Sequence, residues 1–593
     1  MKNVIITSVL ALMLATGANA KNIYVSPDGS TSNNGNSWDS PISDLGTAYS
    51  KASKGDVILM AAGTYTVTAT INMIEGVHVY GGFAKGETSI ENRVRPNAAT
   101  EPWKFTNETI ITSGNQTFRL VDRVDKDTFW ENTIIDGITF KNNVSTDSRV
   151  LYLRNSVTLQ NCQILDNGCT GTVVYGEENT MVRDCYFSGN KTSDSSKEPV
   201  TLQLRGCHYK YYPGNEAHNC VFEGNLITSI SIYNTNEKVG EVEMQQESDK
   251  DGTLVDGCTF RNNKAACVTI NNQWDKRYLK IMNCLFEGNT ASNDGVVFSG
   301  NTTAPCDFAF NVVRNNVNLA PTTDTKFWRY GIISARKNTR LSNSLFVNNS
   351  SDNLLFDLQG STYLFNSTVS NNKGTVYVDA YSTATNSIIA NNTPTHKDVL
   401  VYASNSYVEY CASNEELQMG DGAEYSDNII ESNYFVAPTT FIGADETQID
   451  AIRNADFSLV ASSSCINAGT VDYYKDMYGM TDEWMAEFMS KDVAGNERIV
   501  AGKINMGAYQ GGKGTGVNNV EKGVSCNVIV DSDAIYVSSE EDGYAVVYNV
   551  NGTLIASENI IGGNAVITLT QGGFYLVKVV VGNQAKTFKV AVK

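Results

Sequence analysis

The most regular feature of the chain is an apolar residue followed three positions later by asparagine. The spacing of about 20 to 27 residues, longer where segments are inserted, is that of a solenoid in which every repeat adds one turn. The pattern occurs at Phe140/Asn143, Ile164/Asn167, Phe187/Asn190, Phe222/Asn225, Phe260/Asn263, Phe286/Asn289, Val313/Asn316, Phe346/Asn349, Val369/Asn372 and Ile389/Asn392. We expect the asparagines to lie at tight corners, because asparagine tolerates the left-handed backbone conformation.

Small residues precede the apolar position by two in most repeats. They are Cys162, Cys185, Cys220, Cys258 and Cys284, followed by Ser344, Ser367 and Ser387. Equivalent side chains of a parallel β-helix stack ~4.8 Å apart, and a buried thiol packs as a small hydrophobic group. A metal centre is the alternative, but one thiol per turn does not form a tetrahedral cluster. We therefore predict an inward file of unpaired thiols.

Segments with a period of two fill the rest of each turn, which indicates β-strands. They are Val150-Leu151-Tyr152-Leu153, Thr172-Val173-Val174-Tyr175, Val200-Thr201-Leu202-Gln203-Leu204, Ser229-Ile230-Ser231-Ile232-Tyr233, Val268-Thr269-Ile270 and Val376-Tyr377-Val378. The pattern predicts an all-β protein whose body is one solenoid.

Both ends of this solenoid carry a family resemblance. Four stretches at the N-terminal end resemble the opening cap of exported right-handed parallel β-helix proteins with the pectin-lyase-like fold: Ile23-Tyr24-Val25-Ser26-Pro27-Asp28-Gly29, Gly35-Asn36-Ser37-Trp38, Gly55-Asp56 and Gly63-Thr64-Tyr65. Four stretches at the other end are similar to that group's closing segment: Asp456-Phe457-Ser458-Leu459, Cys465-Ile466-Asn467-Ala468-Gly469, Asp492-Val493-Ala494-Gly495-Asn496-Glu497-Arg498 and Ile504-Asn505-Met506-Gly507-Ala508-Tyr509. The resemblance implies a right-handed parallel β-helix over residues 21–512, but one fold carries many functions.

The chain changes character after the β-helix. Residues 513–524 are glycine-rich and read as a linker. Residues 525–593 contain short alternating strands and the hairpin signal Asn551-Gly552, which predict a small β-sandwich-like domain. This tail resembles the C-terminal sorting domain of type IX secretion cargo, and a plain β-sandwich appendage is the alternative.

The beginning of the chain and its charge bound the location and the partners. Residues 1–20 have Lys2, an apolar run and a final Ala18-Asn19-Ala20, which are typical of a secretory signal peptide. No later apolar run has the length of a membrane span. The net charge of −19 disfavours nucleic acid, anionic membranes and bare polyanions as partners unless a local basic patch or a bound cation intervenes. We expect a protein secreted to, or held on, the outer surface of a Gram-negative bacterium.

Insertions at one joint of the solenoid are the candidate site. Residues 207–219, 234–253, 272–280 and 300–306 all enter at the same joint, and solenoids commonly place such insertions on a binding face. Aromatic rings beside cations suit an acidic sugar, because rings stack on sugar faces and cations pair with carboxylates. The candidate binding residues are His208, Tyr211, Tyr212, Trp274, Arg277, Tyr278, Lys326, Trp328, Arg329 and Tyr330.

The resemblance also implies a candidate chemistry. Lyases of this fold neutralise the substrate carboxylate, often with calcium, and use Lys or Arg as the base. Lys210, Lys276 and Arg205 are the candidate catalytic residues, and calcium is the expected cofactor only if the protein is a lyase. The Asp-His strand and the Arg-x-Pro-x-x-Arg run of classical pectate lyases and the paired aspartates of polygalacturonases are missing from the sequence, which lowers the expectation of an enzyme.

A further interpretation of the insertions remains open. A paired-carboxylate hydrolase could use Glu241, Glu243, Glu247, Asp249 and Asp251, although such a run is more often a solvated loop. The sequence shows no metal-ligand spacing.

The leading hypothesis is a β-helix protein that binds extracellular polysaccharide. A polysaccharide lyase or glycoside hydrolase of the same fold and a non-catalytic adhesin or surface structural protein are the alternatives, and the sequence does not indicate the oligomeric state.

Overall fold

The computed structural model describes residues 20–592 with several gaps. The gaps are residues 115, 124–131, 147, 155, 178, 206–213, 235–237, 240–241, 244–251, 273–277, 293–294, 303, 321–329, 397–399, 513–525, 532–533, 540–542, 550–553, 562, 570–572 and 582–583. The predicted signal peptide and linker therefore lie outside the described residues. The chain divides into two compact units, Met1–Gly514 and Thr515–Lys593.

The first unit is a right-handed parallel β-helix, as the sequence predicts. Each full turn adds one strand to each of three parallel sheets, in the order first, second and third sheet. The first sheet contains Asn22–Val25, Val57–Ala61, His78–Phe83, Thr133–Asp136, Val157–Gln160, Met181–Arg183, Glu216–His218, Leu254–Asp256, Leu279–Met282, Cys306–Ala309, Thr339–Ser342, Tyr363–Phe365, Thr383–Thr385, Tyr407–Glu409 and Glu424–Ser426.

The second sheet follows a sharp corner after the first. It contains Gly63–Thr66, Thr109–Thr112, Ile138–Lys141, Gln163–Leu165, Tyr186–Ser188, Val221–Glu223, Thr259–Arg261, Leu285–Glu287, Val312–Arg314, Leu345–Val347, Thr368–Ser370, Ile388–Ala390, Ala412–Ser413 and Ile429–Ile430. Short pieces at the next corner, Val144–Ser145, Gly168–Cys169 and Lys191–Thr192, form a small sheet of their own.

The third sheet includes the alternating segments predicted from the sequence. It contains Ile71–Met73, Val121–Arg123, Arg149–Arg154, Thr172–Glu177, Val200–Arg205, Thr228–Asn234, Val268–Asn272, Gly295–Thr302, Gly331–Arg336, Ser350–Gln359, Lys373–Asp379, Val401–Ser404 and Gln418–Met419, with Thr290–Ala291 and Val317–Asn318 at its border. Lys238–Val239 and Val242–Glu243 form a separate antiparallel pair within the longest insertion.

A short helix packs against the first turns. Leu45–Lys51 begins at Asp44, whose side chain accepts a hydrogen bond from the Thr47 backbone N–H at 2.7 Å. This capping satisfies one of the otherwise unpaired N–H groups of the first helical turn. Leu45, Ala48 and Tyr49 are buried in the main core cluster. The helix therefore covers apolar side chains at the beginning of the solenoid.

Stacked phenylalanines form a continuous part of the core beneath the second sheet. Phe187, Phe222, Phe260 and Phe286 are fully buried, and their successive ring centroids lie 4.6, 5.1 and 4.7 Å apart with nearly parallel planes. This spacing follows from the distance between neighbouring strands, ~4.8 Å.

The file of thiols is confirmed. Cys162, Cys185, Cys220, Cys258 and Cys284 are buried and free of disulfides. The file continues through a position that the sequence pattern missed, because the Cys284 N–H donates to Asn311 Oδ1 at 2.8 Å and the Asn311 N–H donates to Ser344 Oγ at 3.0 Å. Ser367 and Ser387 follow in the same way.

The repeat asparagines form a hydrogen-bonded ladder inside the solenoid. From Asn143 to Asn392, each side-chain amide donates to the side-chain oxygen of the next asparagine, with nitrogen–oxygen distances of 2.9 to 3.3 Å. Each ladder asparagine except the last also donates its backbone N–H to the next side-chain oxygen, as Asn263 does to Asn289 at 3.0 Å.

The expected left-handed conformation belongs to a different residue. The residue just before each ladder asparagine has positive φ: Asn142, Asp166, Gly189, Gly224, Asn262, Gly288, Asn315, Asn348, Asn371 and Asn391. The prediction that the ladder asparagines themselves adopt this conformation is wrong. Their side chains are needed for the interior ladder, so the preceding residue makes the corner.

Residues before the first regular turns and after the last ones lie along the outside of the solenoid. Arg93 forms an ion pair with Asp136 of the first sheet at 2.8 Å, and Trp103 stacks on Tyr186 of the second sheet with centroids 5.3 Å apart. The C-terminal segment contains Phe435–Ala437, the 3-10 turn Glu446–Gln448, the helices Ile449–Asn454, Tyr473–Asp476 and Asp482–Phe488, and the strand Asp456–Leu459.

This C-terminal segment contacts turns that are far away in sequence. Trp484 Nε1 donates to Asp307 Oδ1 at 3.0 Å on the first sheet. Arg453 Nε donates to Glu287 Oε2 at 3.1 Å on the second sheet. The segment therefore occupies part of the outer faces of both sheets.

The second unit is a β-sandwich of two antiparallel sheets. One contains Cys526–Asp531, Ala534–Ser539 and Asn564–Thr568, and the other contains Gly543–Asn549, Leu554–Ile560, Gly573–Val581 and Gln584–Val592. Its core includes Ile535, Val547, Val577 and Val579. The predicted β-sandwich-like fold of the tail is confirmed.

Candidate functional site

The outer face of the third sheet carries two parallel rows of polar and aromatic side chains. Strand register places Tyr152, Tyr175, Gln203, Ser231, Thr269, Ser299 and Ser334 in the first row. The second row contains Arg154, Glu177, Arg205, Tyr233, Asn271, Asn301, Arg336 and Gln359. Because strand side chains alternate between the two faces, residues two apart in a strand share a face.

Arginines and tyrosines converge where these rows begin, and we call this group the arginine–tyrosine cluster. The Arg149 guanidinium lies 4.2 Å from the centroid of the Tyr175 ring and 4.8 Å from that of Tyr152. Arg119 and Arg154 lie 5.0 and 5.4 Å from the Tyr152 centroid. Arg205 NH1 donates to the Tyr175 hydroxyl at 3.0 Å, which completes the cluster.

A buried carboxylate orients two of these arginines. Glu177 is 1% exposed and lies 3.1 Å from Arg154 and 3.8 Å from Arg205, measured between nitrogen and oxygen atoms. Burial alone lowers the pKa of the Arg205 guanidinium, but Tyr175 and Glu177 outweigh this effect and raise the pKa above its ordinary value. Arg205 is therefore a permanent cation and a poor proton acceptor at neutral pH.

Burial also raises the pKa of the Tyr175 hydroxyl, and the nearby Glu177 charge adds to this effect. The hydroxyl is consequently neutral at physiological pH. The cluster can present fixed positive charge and hydrogen-bond donors, which suits an anionic ligand.

A second polar group lies in the first-sheet strands Glu216–His218 and Leu254–Asp256, and the first of these strands follows Arg205 along the chain. His218 Nε2 is 2.7 Å from Glu216 Oε2, and its Nδ1 is 3.7 Å from Asp256 Oδ2. Burial lowers the pKa of His218, but the carboxylates of Asp256 and Glu216 outweigh this effect and raise the pKa to about 9. The imidazole is thus positively charged at neutral pH.

The structure describes only some of the residues predicted from the sequence. Arg205 and Tyr278 are described at the connection from the third to the first sheet, where the insertions enter between Arg205 and Glu216, Asn234 and Leu254, Asn272 and Leu279, and Thr302 and Cys306. Most of the other predicted site residues lie outside the described residues: Lys210, His208, Tyr211, Tyr212, Trp274, Lys276, Arg277, Lys326, Trp328 and Arg329.

Two described candidates have different surroundings. Tyr278 lies under Arg340, whose guanidinium is 4.8 Å from the ring centroid and 5.7 Å from that of Trp484. Tyr330 directly precedes the third-sheet strand Gly331–Arg336, so it stands at the opposite end of that sheet from Arg205, which ends its own strand. The chain therefore reaches Tyr330 between the second and the third sheet, whereas the four insertions lie between the third and the first sheet.

Several residues of the cluster were missed at the sequence level. Tyr152 and Tyr175 lie in predicted strands, and the observed strands extend beyond the predicted ones to include Arg149, Arg154 and Glu177. These residues belong to regular turns, whereas the residues predicted from the sequence lie mostly in insertions. Their assembly depends on the register of three neighbouring strands.

The described residues do not fit a metal centre. Among them, no group of three or more His, Cys, Asp or Glu side chains is arranged to hold a metal ion. Calcium sites commonly contain several carboxylates around one point, and no such carboxylate group occurs in the described part of the chain. In the same residues, no helix has the length and apolar character needed to cross a membrane.

Comparisons with known proteins agree with the fold. Residues 126–302 match the family model described as right handed beta helix region. Pectate lyase L of Dickeya chrysanthemi is 48% identical over 69 residues, a match that covers 11% of this chain and 16% of that protein. The matched segment is thus about one sixth of the length of that curated relative.

The solved structures to which the chain is similar are remote in sequence. Pectate lyase Pel9A is 13% identical, with a TM-score of 0.36 over 83% of this chain and 97% of that chain. The Streptococcus pneumoniae surface protein and adhesin PfbA is 12% identical, with a TM-score of 0.27 over 64% of this chain and 92% of that chain. These likenesses carry no argument about activity.

Proposed function

We propose that the protein binds an acidic extracellular polysaccharide on the outer face of the third sheet. The arginine–tyrosine cluster is the observation that carries this proposal. Arg119, Arg149, Arg154 and Arg205 are accompanied by Asp122 and Glu177 in ion pairs, so positive charge predominates locally in a chain of net charge −19. A polyanion is attracted by such a patch and not by the protein as a whole.

Cleavage of the bound glycan is the second candidate function. The segment that is 48% identical to pectate lyase L favours it. The raised pKa of Arg205 disfavours this residue as the base, which leaves Lys210 and Lys276 as the candidate bases for lyase chemistry. A hydrolase using the acidic insertion and a non-catalytic adhesin stay as further alternatives, and an adhesin used as a rigid stalk would have no glycan affinity.

Affinity electrophoresis in gels containing pectin, alginate or a glycosaminoglycan tests binding. The parent protein should be retarded by at least one acidic polymer, and added salt should weaken the retardation because salt screens exposed charges. Arg149→Gln should reduce retardation about tenfold, while Arg261→Gln on the second sheet should not. Absence of retardation by every polymer would contradict the proposal.

The same polymers distinguish a binder from a lyase. A lyase creates an unsaturated uronate, whose ultraviolet absorbance increases with time, and a pure binder leaves the absorbance unchanged. If absorbance rises, Lys210→Ala and Lys276→Ala should be compared with the parent. Replacement of Trp274, Lys276 and Trp328 together by alanine should abolish retention if the insertions extend the site, with a thermal midpoint near that of the parent.

The second unit is proposed to serve export or attachment. The described strands between Cys526 and Val592 form a small sandwich, and the resemblance of residues 525–593 to type IX sorting domains supports a sorting or anchoring role for a protein exported to the cell surface. Removing this unit in the native host should shift the protein from the surface or medium to the periplasm. Unchanged localisation would leave it as a plain structural appendage.

A further inference from the structure

The second row of the third-sheet face contains two arginines, Arg205 and Arg336, that are separated by neutral residues, and each of them lies beside a buried carboxylate. Strand pairing orders this row as Arg205, Tyr233, Asn271, Asn301 and Arg336, one residue per turn. At ~4.8 Å per turn, the two arginines lie about 19 Å apart along the axis. We call the stretch from Arg205 to Arg336 the two-arginine lane.

Both arginines are held in the same way. Arg205 lies 3.8 Å from Glu177, with 20% of the arginine side chain and 1% of the glutamate side chain exposed. Arg336 lies 3.4 Å from Asp357, with exposures of 26% and 0%. Gln359 Nε2 also donates to Asp357 Oδ1 at 2.6 Å. Each buried carboxylate thus orients a guanidinium on a partly exposed side chain, and a guanidinium has five N–H groups in a planar fork.

The stretch between the arginines has a different chemistry. Tyr233 is 37% exposed, and Asn271 is exposed. The neighbouring row has the small polar side chains of Ser231, Thr269 and Ser299 at the same turns. An aromatic ring, amides and hydroxyls suit neutral, hydroxyl-rich sugars, because the ring can stack and the polar groups can exchange hydrogen bonds.

From this arrangement we infer that the ligand is a linear glycan with widely spaced acidic groups, in which two carboxylates about four turns apart meet Arg205 and Arg336 and neutral sugars lie between them. This inference rests on the proposed function and makes its ligand class specific. A polymer with a carboxylate on every sugar would place anions opposite Tyr233, Asn271 and Asn301, none of which is a cation. Among the described residues of the lane, those anions would lose hydration without gaining a charged partner.

The two cations should contribute independently. Their separation exceeds the Debye length of ~8 Å at physiological ionic strength, so neither screens or strengthens the other appreciably. Contributions of distant, separate sites are usually additive in free energy and therefore multiply in affinity. Removing either arginine should weaken binding about tenfold, and removing both should weaken it about a hundredfold.

Isothermal titration of the full chain with defined oligosaccharides tests the inference. The gellan octasaccharide has two glucuronates separated by neutral sugars, and octagalacturonate has a carboxylate on every sugar. The gellan octasaccharide should bind about tenfold more tightly, and reduction of its carboxyl groups to alcohols should remove this advantage. Arg205→Gln and Arg336→Gln should each lower the affinity for it.

Two further variants serve as controls. Arg261 forms a matched ion pair with Glu223 at 2.8 Å on the second sheet, so Arg261→Gln should leave binding unchanged. Asn271→Asp adds a negative charge to an exposed position within the lane without touching a buried carboxylate, and it should weaken binding even if the arginine variants fold poorly. Thermal midpoints identify any variant that does not fold.

The outcomes separate this inference from the proposed function. Octagalacturonate binding as tightly as the gellan octasaccharide, or Arg336→Gln and Asn271→Asp both binding like Arg261→Gln, would overturn the spaced-charge ligand and leave acidic glycan binding in place. Failure of both oligosaccharides and of every acidic polymer to bind would overturn the proposed function itself.

Discussion

The side-chain amide of Asn263 donates to the side-chain oxygen of Asn289 at 2.9 Å, one turn further along the solenoid. Asn263 also donates to the Phe222 carbonyl at 2.9 Å, and its own oxygen accepts from both the backbone and the side chain of Asn225. It is fully buried. One amide group thus joins three consecutive turns.

Replacement of Asn263 by alanine should destabilise the β-helix by about 3 kcal/mol. The change leaves several buried donors and acceptors without a partner, and each such group costs about 1–3 kcal/mol before any relaxation. Asn271→Ala is the matched control, because this asparagine is exposed on the same solenoid. Thermal and urea unfolding of both variants measure the difference, and equal midpoints would contradict a stabilising role for the ladder.

The five thiols of the interior file should stay unmodified in the native protein. All five thiols are buried, which keeps a reagent away from them. Burial also raises the pKa of the Cys185, Cys220 and Cys284 thiols well above the ordinary value, and the thiolate is the reactive form. Mass spectrometry of the non-reduced protein, alkylated before and after denaturation, should find Cys162, Cys185, Cys220, Cys258 and Cys284 labelled only after denaturation. A disulfide between any two of them would refute the stacked, unpaired arrangement.

The regular part of the fold could be predicted from sequence because its signals are local and repeated. The Phe-x-x-Asn spacing, the file of Cys162 and its equivalents, and the alternating strands each recur once per turn. The left-handed corner was misplaced by one residue, since asparagine is compatible with both the corner and the ladder. Only the three-dimensional structure shows that the Asn263 amide points inward while Asn262 makes the turn.

The candidate site was less predictable because it depends on contacts between distant segments. Arg149, Tyr175 and Arg205 meet through the pairing of three strands, and insertions of different length hide this register in the sequence. The return of the C-terminal segment, with Trp484 bonded to Asp307, has no repeating signal at all. Trp274 and Lys276 were predicted as site residues from the composition of an insertion, whereas the arginines of the described cluster lie in regular strands.

His218 should titrate far above an ordinary histidine. Its pKa is raised to about 9 by Asp256 and Glu216, which outweigh the opposing effect of burial. Because the folded pKa exceeds the ordinary value of about 6.5, the resulting stability is fully present below about pH 6.5 and is lost as the pH rises through about 9. The upper limit is about 3 kcal/mol, and solvent screening reduces it because 24% of the side chain is exposed.

Nuclear magnetic resonance of the histidine-labelled protein can follow this titration, since the chain has only four histidines. Glu216→Gln should move the His218 midpoint toward the ordinary value by removing one of its two carboxylate partners, and His218→Gln assigns the signal. A midpoint near 6.5 in the parent protein would show that the two carboxylates do not stabilise the charged imidazole.

Deletion of residues 517–593 should leave residues 21–512 folded. Each unit has its own core: Phe187, Phe222 and Phe260 belong to that of the β-helix, and Ile535, Val547 and Val577 belong to that of the sandwich. Folding of a compact unit depends chiefly on its own buried apolar surface, and a glycine-rich segment is the expected boundary between such units. The truncated protein should keep its β-sheet circular dichroism and unfold within a few degrees of the main transition of the full chain.

The truncated protein should also retain acidic glycan binding, because the proposed site lies within the third sheet. An unfolded or aggregated truncation product would instead show that the β-helix requires the second unit, and loss of binding by a folded product would show that the second unit contributes to the glycan site.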